Sequence, residues 1–173
     1  MLAYVFSHRA AEGVDIADYE ESLRRFHSAL ASAAPSGFIT STTFRIGDGF
    51  SDWYLLESSA ALDVLNAAAV SGARAPAHDA VARAAVDGAG KLWSLASGQP
   101  FMEAGFEASF SKPAGMAYVD LYARLQQWTE EPAVSLWRRM MVLGPPPEFT
   151  ILGPAEVKLP SELSPEVSRR EPI

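Results

Sequence analysis

Residues Leu2 to His8 alternate in size and polarity, with Tyr4, Phe6 and His8 set between Ala3, Val5 and Ser7, and this period of two predicts a strand. Gly13 and Asp15 then punctuate the chain, and Asp15 suits a helix N-cap. Ile16, Tyr19, Leu23, Phe26 and Leu30 recur at three- and four-residue steps, the single stripe of a helix running to about Ala33. Pro35-Ser36-Gly37 ends it, and the Thr- and Phe-rich run Phe38 to Ile46 predicts a second strand. Gly47-Asp48-Gly49 turns the chain into a third, Trp53 to Leu56, and Ser58 or Ser59 can cap a helix from Ala60 to about Val70.

A break at Ser71 to Pro76 precedes a predicted helix from His78-Asp79, with Val81, Ala85, Gly88, Leu92 and Leu95 on one face and Gly98-Gln99-Pro100 as its stop. Gly105 to Phe110 alternates as a fourth strand, and Met116 to Ala123 as a fifth. Glu130-Glu131-Pro132 is a good helix opening for a stripe of Val134, Trp137 and Met141 closed by Gly144. Phe149 to Leu152 predicts a sixth strand. Beyond residue 153 four prolines alternate with charges, so residues 154–173 read as an extended or loosely ordered tail to one compact domain, 1–153.

Two short identities recur at one offset. Ala3-Tyr4-Val5 returns as Ala117-Tyr118-Val119 and Arg24-Arg25 as Arg138-Arg139, each 114 residues on, which suggests an internal duplication with copies at 1–111 and 115–153. The order β-α-β-β-α-β over residues 2–111 is the ferredoxin-like split motif, an antiparallel sheet with helices on one face and an open face to cover. With the strand Leu2–His8, the helix carrying Leu23-Arg24-Arg25-Phe26, the strand Trp53-Tyr54-Leu55-Leu56 and the echo Met116-Ala117-Tyr118-Val119, the chain resembles the dimeric α+β barrel superfamily. That resemblance implies two ferredoxin-like sheets closing around a cavity. It also implies a wide choice of roles, because the superfamily includes cofactor-independent oxygenases, haem-binding enzymes, lactone isomerases and ligand-sensing proteins.

Composition narrows the classes. The chain has 173 residues, 49% of them hydrophobic, which supports one sizeable core or two small lobes. The mean hydropathy is +0.04 and 20% of residues are charged, values of a globular chain. A net charge of −7 without a basic patch argues against nucleic-acid partners. Cysteine is absent, which removes disulfides, thiol nucleophiles and cysteinyl metal sites. No run reaches the roughly 20 apolar residues of a membrane span, and a cytoplasmic location is the default expectation.

Candidate chemistry follows from strand parity. Tyr4, Phe6 and His8 share one face of the first strand, and Tyr118, Asp120 and Tyr122 one face of the fifth; the small residues opposite suit close helix packing. If both bulky faces line one barrel interior, His8 is a candidate general base oriented by Asp120, with Tyr4, Tyr118 and Tyr122 as ligand contacts. The alternative makes the tyrosines core and His8 a surface strand end. Arg74 and His78, at a loop and a helix start, form a second candidate pair for a ligand carboxylate. His27 beside its helix stripe reads as a boundary residue rather than a haem ligand, and no two histidines have metal-ligand spacing, so neither metal nor cofactor is expected.

Beyond a soluble α+β domain with a small-molecule cavity, the residues do not choose a function. A metal-free oxygenase, isomerase or lyase needs His8, Asp120 and the tyrosines to converge. A non-catalytic ligand-binding or oligomerisation module needs the same positions packed and dry. In either case an uncovered sheet face predicts a homodimer.

Overall fold

The alternating start of the chain forms strand β1 (Leu2–Ala10) and leads into helix α1 (Ile16–Ser32) in the computed structural model, which describes residues 1–100, 102–141 and 144–173. The Asp15 carboxylate caps α1, accepting from the backbone N–H of Ala17 at 2.9 Å and of Asp18 at 3.1 Å. Tyr19, Leu23, Phe26 and Leu30 are the buried stripe, whereas Ile16, in the first turn, is exposed. Strands β2 (Phe38–Ile46) and β3 (Gly49–Leu56) make a hairpin in which Thr43 faces Asp52. Helix α2 (Ala60–Ala69), a short turn at Gly72–Arg74, helix α3 (Ala75–Ala84) and strand β4 (Ala85–Gly98) follow.

Residues 1–91 with 172–173 form one compact unit and residues 92–171 a second. In the first unit the strands lie in the order β4-β1-β3-β2, so β1 to β4 with their helices give the ferredoxin-like order β-α-β-β-α-β. Pairing of β1 with β3 sets Tyr4 opposite Tyr54, Phe6 opposite Asp52 and His8 opposite Phe50 on one face, with Val5 opposite Trp53 on the other. The first of these faces lies under the helices: Tyr19 of α1 hydrogen-bonds His8 and packs edge-on against Phe50.

The second unit contains β5 (Phe106–Phe110), helix α4 (Tyr118–Thr129), β6 (Ser135–Arg139), β7 (Phe149–Gly153) and β8 (Glu166–Arg169). With the second half of β4 its strand order is β8-β5-β7-β6-β4. Leu121 and Leu125 of α4 pack into a buried cluster with Phe110, Leu136, Phe149 and Ile151. The fold class is therefore α+β, an antiparallel sheet with helices on one face, and β1-α1-β2-β3 and β5-α4-β6-β7 repeat one topology.

Four local expectations are corrected. The predicted strand over Met116–Ala123 is the start of α4: its alternation ends at Ala123, while Leu121, Leu125 and the partly buried Tyr118, Tyr122 and Trp128 keep helical spacing along a single face. The 114-residue echo thus aligns a strand with a helix and does not mark the repeat. The predicted helix after Glu130 is β6, held between two partners as Leu95 pairs with Trp137 and Leu136 with Ile151. Ala133, at φ +62°, breaks any helical path into it. The helix predicted from His78 stops at Ala84, because Gly88 and Gly90 disfavour helix and serve in β4 as flat ground for large neighbours. A Cβ built at Gly88 would lie 2.6 Å from the Phe6 ring, and one at Gly90 2.6 Å from the Tyr4 hydroxyl. The tail, finally, is tied down, with β8 pairing along β5 and Leu163 buried in the core of the second unit. Among the described residues no helix is long and apolar enough to cross a membrane.

Candidate functional site

Strand parity in the first unit is the reverse of the expected one. Tyr4, Phe6 and His8 were expected to point away from the helices, with Ala3, Val5 and Ser7 against them. The structure puts the large side chains under the helices because α2 and α3 are built largely of alanine and leave room for them. That room is not completely filled. A cavity of about 550 Å³ remains, walled by Tyr4, Phe6, Phe26 and Tyr54 on one side and by Leu65 and Val81 from the helices on the other. Its polar wall is small: Asp52, Asp63, Asn66 and His78.

Asp52 is the centre of a buried polar network, and only 2% of its surface is exposed. Thr43 donates its hydroxyl to Oδ1 at 2.6 Å and Tyr54 donates to Oδ2 at 3.2 Å. His8 Nε2 also lies 3.2 Å from Oδ2, and Tyr19 Oη lies 2.8 Å from His8 Nδ1. A carboxylate only accepts, so His8 carries its proton on Nε2 and receives the Tyr19 proton at Nδ1. The same logic runs through the second histidine. Thr43 Oγ1, having given its proton to Asp52, accepts from His27 Nε2 at 2.8 Å, and Ser41 Oγ donates to His27 Nδ1 at 2.6 Å. Every donor in this set has an acceptor.

The network shapes local ionisation. Burial by itself pushes the Asp52 carboxyl up, but the contacts of His27 and His8 outweigh it and hold the group well below the ordinary carboxylate range. Tyr54, Tyr19 and Tyr4 are all pushed up, first by burial and then by the charge on Asp52.

The residues singled out from sequence divide between the two units. Tyr4 and His78 line the cavity, and His8 sits directly behind its Asp52 wall. The carboxylate partner of His8 is thus Asp52. Asp120 occupies the exposed first turn of α4 in the second unit, where an acidic group complements the helix dipole. Tyr118 and Tyr122 are also on α4, packed against Phe149; Tyr118 donates to Glu148 at 2.5 Å with the Arg138 guanidinium 4.2 Å from its ring centre. Arg74 is no carboxylate clamp, since its guanidinium donates to the carbonyls of Ala68 at 2.8 Å and Ala33 at 2.7 Å, near the ends of α2 and α1. His78, on α3, holds Nδ1 3.2 Å from the Asp79 carboxylate and meets Phe26 edge-on.

Sequence reasoning passed over Asp52, Thr43, Tyr54 and Ser41. Their signal lay in the hairpin: the Gly47-Asp48-Gly49 turn fixes a register that sets Thr43 beside Asp52 and Ser41 beside Tyr54. Starting the third strand at Trp53 left Asp52 outside it.

Haem does not fit these residues. Both ring nitrogens of His27 are engaged, and among the described residues no Lys or Arg lines the cavity to meet the propionates, where Asp52 and Asp63 would oppose them. Among the described residues no group of three or more His, Asp or Glu is placed to hold a metal.

The sequence matches no family model and no curated protein. Solved structures share its fold, among them the two that follow. A provisionally assigned monooxygenase from Lactobacillus acidophilus NCFM superposes with a TM-score of 0.61 at 11% identity, over 99% of this chain and 93% of that one. A provisionally assigned chlorite dismutase gives 0.57 at 12% identity, over 99% and 94%. At such identities the likeness establishes the architecture alone, and that architecture is the α+β barrel fold.

Proposed function

We propose that the protein binds a small, mainly apolar organic molecule in the cavity between the sheet and the helices of the first unit. The observation that carries this reading is the cavity itself: about 550 Å³, walled by aromatic and aliphatic side chains with a few polar groups. The first solved structure bears the name of a monooxygenase, which is compatible with a fold used for small-molecule chemistry.

Chemistry at this site, as a metal-free oxygenase, isomerase or lyase, starts from proton removal. His8 is poorly placed for that, because its side chain is fully buried and both ring nitrogens are engaged. His78 is better placed. Its Nδ1 faces Asp79, which leaves Nε2 as the acceptor of a side chain that lines the cavity, and we assign it the proton-transfer role. The second reading, non-catalytic binding, is favoured by the closed hydrogen bonding around Asp52, which offers a ligand no unengaged hydroxyl or imidazole there. Either reading takes the protein as a cytoplasmic homodimer. The exposed Val119 and Met141 are candidates for the contact, and a monomer mass in light scattering at micromolar concentration would remove the dimer.

The test of binding uses the neutral fluorophore N-phenyl-1-naphthylamine. Saturable enhancement with one site per chain is expected, and Ala82→Trp, at the exposed side of the cavity, should abolish it with little change in melting temperature. Absence of saturable binding to the parent protein, or binding that survives Ala82→Trp, refutes the assignment.

A further inference from the structure

We infer that the cavity selects organic cations, and among them tertiary and quaternary ammonium groups carried on an apolar body. This inference rests on the cavity being a ligand site and names the class of molecule it takes.

Two features of the wall point the same way. The first is aromatic. Tyr4, Phe6, Phe26 and Tyr54 all line one open-sided cavity, the Tyr54 ring being stacked with Tyr4 at 6.0 Å and 29° and with His27 at 5.2 Å and 17°. Ring faces attract cations through their quadrupoles, most strongly where water is excluded. The second is charge. Among the described residues of the lining, Asp52 and Asp63 carry carboxylates and none is Lys or Arg. An anionic ligand would meet two like charges and no cation.

From behind, Asp52 meets the hydroxyls of Thr43 and Tyr54 and the imidazole of His8, with His27 reached through Thr43. The Asp52 carboxylate, held ionised by these contacts, therefore adds its charge to the cavity wall beside Tyr54. The upward displacement of the Tyr4, Tyr19 and Tyr54 hydroxyls, to which Asp52 contributes in each case, registers the same field.

The network also explains the preference among cations. Both Asp52 oxygens already accept hydrogen bonds, so the carboxylate acts on a ligand through its field rather than as a hydrogen-bond acceptor. A primary ammonium turned towards Asp52 would lose hydration against oxygens that already accept from Thr43, Tyr54 and His8, a cost that a quaternary ammonium does not incur.

Three probes of similar size separate the possibilities: phenyltrimethylammonium, its neutral carbon isostere tert-butylbenzene, and benzoate. Each competes against N-phenyl-1-naphthylamine, with a direct titration of phenyltrimethylammonium by calorimetry. The cation should bind about tenfold or more tighter than the isostere, as a desolvated ring contact predicts, and benzoate should not compete. Asp63→Asn should weaken the cation several-fold and leave the isostere unchanged, and Tyr4→Leu should weaken the cation more than the isostere. Equal or tighter binding of tert-butylbenzene, with the fluorophore still bound, overturns the cation inference and leaves the cavity reading standing. Failure of the fluorophore and all three probes overturns both.

Discussion

Asp52→Asn keeps the shape of the side chain and removes the charge at the centre of the buried network. The carboxylate accepts from Thr43 at 2.6 Å, from Tyr54 at 3.2 Å and from His8 Nε2 at 3.2 Å. A carboxamide presents one oxygen and one NH2, so whichever way it turns, its NH2 faces a donor. Losing a hydrogen bond to a charged group costs roughly 1.5–3 kcal/mol, and leaving a buried donor unmatched costs roughly 1–3 kcal/mol more. A total near ~3 kcal/mol corresponds to a fall of roughly 6–12 °C in melting temperature for a chain of this length. The effect has a pH signature. The folded-state carboxyl of Asp52 lies below its unfolded value, so its contribution is present in full above about pH 5 and is lost as the pH falls through about 3.9 towards the folded value. Thermal melts of both proteins from pH 3 to pH 8 read this directly. The gap between them should be widest at neutral pH and narrow on the acid side, while the exposed control Asp48→Asn stays close to the parent at every pH. A gap of less than 2 °C at pH 7, or one of the same size at pH 3, would show that Asp52 is not the ionised centre described above.

Two further substitutions probe the frame around the site. Gly98→Ala should lower the urea midpoint by the equivalent of about 3 kcal/mol, because Gly98 has φ +79° and an added Cβ would lie 2.1 Å from the Val134 carbonyl oxygen; an unchanged midpoint would contradict that packing. Arg74→Ala should cost about 1–2 kcal/mol by freeing the carbonyls of Ala33 and Ala68, and should leave fluorophore binding intact, whereas lost binding with unchanged stability would return Arg74 to the site.

Much of the first unit is legible in the sequence. The cap at Asp15, the stripe from Tyr19 to Leu30 and the turn at Gly47 are local signals, and local signals survive folding. The errors arise where the deciding partner is remote. Ser135–Arg139 contains Trp137 and an arginine pair, and only the flanking strands make it a strand. Gly88 and Gly90 read as weak helix positions until the rings of Phe6 and Tyr4 are laid over them. Site parity failed for a related reason. Bulky residues on alternate positions of β1 suit a barrel interior as well as a helix layer, and the alanines of α2 and α3 decide for the helices. The sequence sets His8 beside Asp120, whereas the carboxylate next to it is Asp52, 44 positions away in sequence and adjacent through the β1–β3 register.

The alanines of α2 and α3 have an evolutionary consequence. Ala69, Ala82 and Ala85 border empty volume, so enlarging one of them adds atoms to a void rather than to a packed layer. The Asp52 network draws instead on α1 and the hairpin, through Tyr19, His27, Ser41 and Thr43. Residues that would set the size of a guest are thus separate from those that hold the Asp52 charge, although the second carboxylate, Asp63, shares α2 with Ala69. The room beside the alanines can drift by single substitutions along one pair of helices while the Asp52 charge, held by α1 and the hairpin, is inherited unchanged. A lineage built on this arrangement would diversify in the length and girth of its ligands before it altered their sign.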